Sequence, residues 1–149
     1  NYETPMKPIK TAVIGYGFAG RAFHAYLVGL APGLELFGIA SRNPETQQKI
    51  RERGDCRVFT SFDEVLQNPE VELVVIATPN DVHCEYSIRA LEAGKHVVTD
   101  KPMCLSVEEC DRMIAAQQKS GSLLSVFHNR RWDGDFLTAQ QLMNDGALG

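Results

Sequence analysis

The chain has 149 residues, the size of one domain, with 44% hydrophobic residues to fill a core. Fifteen basic against nineteen acidic side chains give a net charge of −4, which argues against a nucleic-acid or anionic-membrane binder working through bulk charge. No apolar run approaches the roughly 18 residues of a membrane span, and Asn1 to Lys10 lacks the charged-then-apolar pattern of a signal peptide.

In chain order, Met6 precedes the first apolar run and reads as the native start, which makes residues 1–5 a remnant or a disordered start. Ile9 to Gly15 (IKTAVIG) is a short β-rich run closed by glycine, expected to be a buried strand. Phe18 to Leu30 follows at near-helical spacing and stops at Pro32-Gly33. Leu34 to Ala40 is a second strand. Asn43-Pro44 reads as an N-cap and first helical residue, opening a polar helix to about Arg53 that Gly54 closes. Val58-Phe59 is a third, short strand, and Ser61-x-x-Glu64 a capping box for a short helix ending before Pro69.

Glu72 to Thr78 (ELVVIAT) is the clearest strand. Asn80 or Asp81 is expected to cap the next helix, which runs to Ala93 and stops at Gly94. His96 to Thr99 is a fifth strand. Ser106-x-x-Glu109 is a second capping box, opening a helix to Ser120-Gly121. Leu123 to Phe127 is a sixth strand, and Asp135 to Asn144 a last helix terminated by Gly146. Strands that are continuous apolar runs and alternate with helices predict an α/β fold, a doubly wound parallel sheet of about six strands. Cys56, Cys84, Cys104 and Cys110 form no C-x-x-C pair, so no metal site is expected, and buried free thiols in a reducing cytoplasm are.

Gly15-Tyr16-Gly17-Phe18-Ala19-Gly20 is G-x-G-x-x-G between the first strand and first helix. Gly15 permits the turn, Gly17 lets a pyrophosphate approach the backbone, and Gly20 lets helix and strand pack closely. The helix N-terminus offers free N–H groups and about half a positive charge to phosphates. His24, on the same helix, reads as a residue packed near the sheet. At the tip of the second strand stand Ser41-Arg42 and no acidic group. A hydroxyl and a guanidinium suit a 2′-phosphate, which favours NADP over NAD.

Polar and basic residues gather after three further strands: Thr78-Pro79-Asn80-Asp81-Val82-His83, Asp100-Lys101-Pro102, and His128 to Trp132. With VIGYGFAG, ATPNDVH, AGKHVVTDKP and NRRW together, Ile9 to Gly149 resembles the glucose–fructose oxidoreductase / inositol dehydrogenase family, in particular its NADP-dependent scyllo-inositol dehydrogenase branch. The family usually has Glu-Lys-Pro where this chain has Asp100-Lys101-Pro102, so contacts of the longer carboxylate need not carry over.

The resemblance implies hydride transfer between a nicotinamide cofactor and a secondary alcohol of a cyclic polyol or sugar. Lys101 would orient the substrate hydroxyl and assist its proton loss, which suits a buried, crowded lysine. The Lys101-Pro102 bond would be cis. Thr78, Pro79, Asn80 and His83 would line the ribose–nicotinamide region, with Asp100 and Pro102 beside them. Asn129 and Arg130 would approach the substrate, Arg131 and Trp132 the cofactor; a hinge contact is the rival explanation for that segment. The family also has a C-terminal substrate domain with an Asp-x-x-x-His signature and the oligomer interface, so a homo-oligomer is expected of the full-length form. The chain stops at residues 145–149, where a family chain would cross into that domain. A non-catalytic nucleotide-binding or redox-sensing module would also keep the glycine loop. A methyltransferase would leave Asp100-Lys101-Pro102 and Ser41-Arg42 unexplained.

Overall fold

The computed structural model describes residues 7–147, so the reading of Met6 and of residues 1–5 lies outside the described residues. Six strands form one sheet in the order β3-β2-β1-β4-β5-β6: β1 (Ile9–Ile14), β2 (Leu34–Ala40), β3 (Arg57–Phe59), β4 (Leu73–Ile76), β5 (His96–Thr99) and β6 (Leu124–Val126). Every pairing is parallel. A turn of π-helix, Gly20–His24, leads into α1 (Ala25–Leu30), followed by α2 (Pro44–Arg53) and α3 (Phe62–Gln67). A 3₁₀ turn, Asn80–Val82, leads into α4 (His83–Glu92); α5 (Val107–Ser120), a second 3₁₀ turn, Asn129–Trp132, and α6 (Gly134–Asn144) complete the order.

The strands are apolar throughout because both faces are covered. Successive side chains point to opposite faces. Ala12, Ile14, Val74, Ile76 and Val97 therefore join Phe62, Val65, Ala90 and Leu91 in one cluster, under α3 and α4. Val13, Ile39 and Val75 face the other way and join Ala25, Val28 and Ile50, from α1 and α2.

Register places the strand ends level. Ile14 pairs with both Ala40 and Ile76, Ile76 with Thr99, and Thr99 with Val126. The loops after β1, β2, β4, β5 and β6 thus leave along one edge. The chain order reverses between β1 and β4, and a crevice opens at such a switch point.

Helix ends follow the sequence signals with instructive exceptions. Asn43 Oδ1 accepts from the Thr46 N–H at 3.1 Å, with Pro44 behind it. Ser61 and Ser106 each accept from the N–H three residues on. The return arm of each capping box reaches one residue further back than the motif implies: Glu64 accepts from the Thr60 N–H, and Glu109 from the Leu105 N–H. The expected cap of α4 by Asn80 or Asp81 is not made. The 3₁₀ turn already carries the chain into that helix, so Pro79 and Val82 stand at the two cap positions, neither with a side-chain hydrogen bond. The cysteines are free, yet only Cys84 is buried; Cys56, Cys104 and Cys110 are half-buried. Among the described residues no helix is long and apolar enough to cross a membrane.

Candidate functional site

The glycine loop is shaped by close backbone approach. Gly15 has φ +94°, a conformation that side chains disfavour, and a Cβ there would stand 2.5 Å from the Ala77 carbonyl oxygen. A Cβ on Gly20 would stand 2.1 Å from the Gly15 carbonyl oxygen, so only glycine lets the helix start this close to the strand. A Cβ on Gly17 would meet nothing within 4 Å. That position is open, as a backbone surface offered to a phosphate should be.

Around this loop lies a crevice of about 580 Å³. Gly15, Gly17, Phe18 and Ala19 form its floor, Ser41 and Arg42 stand at one end, and Thr78 and Pro79 at the other. Arg42 is exposed and makes no side-chain hydrogen bond among the described residues. The Ser41 hydroxyl accepts from the Asn43 N–H at 3.2 Å and so faces the β2–α2 turn. The Thr78 hydroxyl is buried without a hydrogen-bond partner among the described residues, a polar atom left for something else to satisfy.

The crevice also holds residues that the motif did not point to. Ser61 and Phe62 follow β3, and Asp81, Val82 and Tyr86 follow β4. Phe62 and Tyr86 stack at 4.3 Å between ring centroids, forming an aromatic wall. Ser61 was legible only as a helix cap, although its place beyond a strand's carboxyl end was the available signal. Tyr86 gave none, because its partner is distant in sequence.

Other expected residues are placed elsewhere. The Tyr16 side chain turns away, its hydroxyl accepting from Arg53 Nη1 at 3.3 Å. His83 lies beneath the surface and does not line the crevice: it is fully buried, with Nδ1 2.7 Å from the Pro102 carbonyl oxygen and Nε2 3.0 Å from that of Thr78. It therefore ties the loops after β4 and β5 together from below. Asn80 is exposed at the start of the 3₁₀ turn. Asn129, Arg131 and Trp132 line a separate cavity of about 460 Å³ with Leu27, Phe127 and His128. Arg130 points outward and pairs with Asp133 at 2.8 Å.

The Lys101-Pro102 bond is cis. The expectation of a buried, crowded Lys101 is not met: the side chain is exposed, in the loop that follows β5. Its backbone N–H donates to Asp100 Oδ1 at 2.7 Å. Asp100 is half-buried, and its other oxygen, Oδ2, lies 3.2 Å from His24 Nε2. Lys95, from the AGKHV segment, is buried too; its ammonium donates to the carbonyls of Asn68 and Val71, both at 2.8 Å, and burial pushes its pKa down.

A nicotinamide dinucleotide fits this cradle by its chemistry. The open Gly17 backbone and the helix start beyond it suit a pyrophosphate, and a free guanidinium at the tip of β2 suits an adenosine-ribose phosphate.

Comparison with known proteins agrees. Residues 9–128 match the family model described as an oxidoreductase family with an NAD-binding Rossmann fold. The chain is 43% identical over 141 residues to the oxidoreductase YdgJ of Escherichia coli K12, covering 95% of this chain and 40% of that protein. It is 38% identical over 140 residues to the NADP(+)-dependent scyllo-inositol 2-dehydrogenase IolW of Bacillus subtilis, covering 94% of this chain and 38% of that protein. Among solved structures, an NAD-binding protein from Listeria innocua matches with a TM-score of 0.90 at 34% identity, over 96% of this chain and 42% of that one. The chain thus spans about two fifths of the curated relatives it matches. A parallel sheet in Rossmann order, a glycine loop at its switch point and a family match over most of its length place this chain in the Gfo/Idh/MocA family of oxidoreductases, as their NAD(P)-binding domain.

Proposed function

We propose that the chain is the NADP(H)-binding part of an oxidoreductase that moves a hydride between nicotinamide and a secondary alcohol of a cyclic polyol or sugar, with scyllo-inositol the first substrate to try. The observation that carries the cofactor choice is the exposed Arg42 lining the crevice beside Ser41 at the tip of β2, a position where an acidic side chain would repel a 2′-phosphate. The similarity to IolW, named as NADP(+)-dependent, supports the same choice.

In this reading Gly15 to Gly20 and Thr78 to Asn80 hold the pyrophosphate and ribose, and Ser41-Arg42 the 2′-phosphate. When bound, the cofactor supplies the hydride chemistry. Lys101 orients the substrate hydroxyl and assists its proton loss, Asn129 and Arg130 approach the substrate, and Arg131 and Trp132 the cofactor. Lys101 needs cover from outside the described residues to be desolvated. Turnover is therefore proposed for the full-length, homo-oligomeric protein, in a cytoplasm that keeps the cysteines reduced. The chain alone is expected to bind NADP(H) and to turn over polyols negligibly.

Titration with NADPH, NADH and S-adenosylmethionine tests the reading. Tightest binding of NADPH supports it; binding of S-adenosylmethionine alone would replace it with a methyl-transfer function.

A further inference from the structure

We infer that His24 is a positioning residue for Asp100, and through Asp100 for Lys101, so that the phosphate-binding turn and the lysine-bearing loop are held as one unit. The inference rests on the role of Lys101 proposed above.

Three observations converge on it. First, His24 ends the π turn Gly20–His24. A π turn takes up one residue more than an α-helical turn, which sets later side chains back by about 100°. His24 and Ala25 are thereby turned into the protein, at 4% and 0% exposure, while Phe23 and Tyr26 on either side remain exposed.

Second, the buried imidazole faces a carboxylate. Its ring meets Phe127 edge-on at 4.7 Å between centroids, and Nε2 stands 3.2 Å from Asp100 Oδ2. The contact falls short of hydrogen-bond geometry, and Nε2 has no hydrogen-bond partner among the described residues. A polar ring buried this deeply is costly unless something compensates it, and the Asp100 carboxylate stands beside it. A Leu or Phe would fill the same space if packing were the whole role.

Third, the partner is an aspartate, the shorter of the two acidic side chains. One more methylene would advance the carboxylate by about 1.5 Å into a contact that is only 3.2 Å long. Asp100 thus fits the space His24 leaves. Its Oδ1 holds the Lys101 N–H at 2.7 Å, and its own N–H donates to the Ile76 carbonyl at 2.9 Å. One carboxylate accordingly bridges the helix after the glycine loop and the backbone of the lysine.

The test has two arms. In ring-labelled protein, Asp100→Asn should move the NMR resonances of the His24 ring. Unmoved resonances would overturn the pairing, whatever the substrate and whether or not NADPH binds. In the full-length protein, with scyllo-inositol and NADP+ as the assay, His24→Phe and Asp100→Asn should each cut kcat about tenfold while NADPH affinity stays within a few-fold. The double variant should be no slower than the slower single one; losses that multiply to about a hundredfold would contradict the coupling. Asp100→Glu should also lose kcat, and His24→Ala should restore part of it in that background. No restoration would overturn the steric argument. If the wild type neither binds NADPH nor oxidises scyllo-inositol, the proposed function fails, and the resonance arm still decides the pairing.

Discussion

Gly17 and Gly20 stand three residues apart and should answer differently to an added methyl group. Gly17→Ala meets open space, so thermal melting should stay near wild type while NADPH affinity falls. Gly20→Ala drives a Cβ to 2.1 Å from the Gly15 carbonyl oxygen, so the melting temperature itself should drop. Equal effects of the two on stability would mean that the loop is not the tight cradle described. At the crevice end, Arg42→Asp should weaken NADPH binding at least tenfold relative to NADH, since one charge contact to a phosphate is replaced by repulsion. In the full-length protein, Lys101→Ala should depress turnover steeply with cofactor affinity within a few-fold. Cys56 is expected to react slowly. Burial, then the nearby Asp55 charge, pushes the Cys56 thiol up to about 11, so alkylation at pH 8 should be slow because the thiolate is scarce. Rapid labelling of Cys56 would contradict its burial.

At the scale of elements, the caps were legible because they are local: one side chain and an N–H three residues away decide them. Ser106→Ala should cost about 1 kcal/mol of stability, measured by denaturant unfolding. The return arm of each capping box was not legible, since its acceptor can take the N–H of either of two successive residues. Lys95 is the clearest case of a residue whose role only the fold reveals. It reads as part of a family motif, yet it closes the carbonyls of Asn68 and Val71 from 24 to 27 residues away. Lys95→Met keeps the stem but leaves both carbonyls without their donor, at a cost of roughly 1–3 kcal/mol. Burial holds its pKa below that of the unfolded chain. The cost of burying its charge is present below the folded pKa and is relieved as pH rises through the unfolded value, so Lys95→Met should lose less, not more, at neutral pH than the hydrogen bonds alone suggest. The π turn was equally hidden. Helical spacing from Phe18 to Leu30 reads the same with or without one extra residue in a turn, yet that residue decides which way His24 faces.

Across the whole molecule, the sheet order follows from the alternation of short apolar runs and helices, because few topologies bury every strand on both faces. The glycine loop, Ser41-Arg42 and Thr78-Pro79 were found in the sequence because each follows a strand, and level strand ends bring such loops together. What the sequence could not show is which of those loops share a cavity. The segment Asn129 to Trp132 opens on its own space beside Leu27, and Phe62 meets Tyr86 only through the packing of α3 against α4. Exposure of Lys101 belongs to the same scale, since it depends on what packs over the loop after β5 and not on the local sequence. The central claim is that this crevice selects a dinucleotide bearing a 2′-phosphate. Calorimetric titration of the purified protein with NADPH and NADH, repeated on Arg42→Asp, tests it most directly. The account predicts tighter binding of NADPH and loss of that preference in the variant; equal or tighter binding of NADH by the wild-type protein would contradict it.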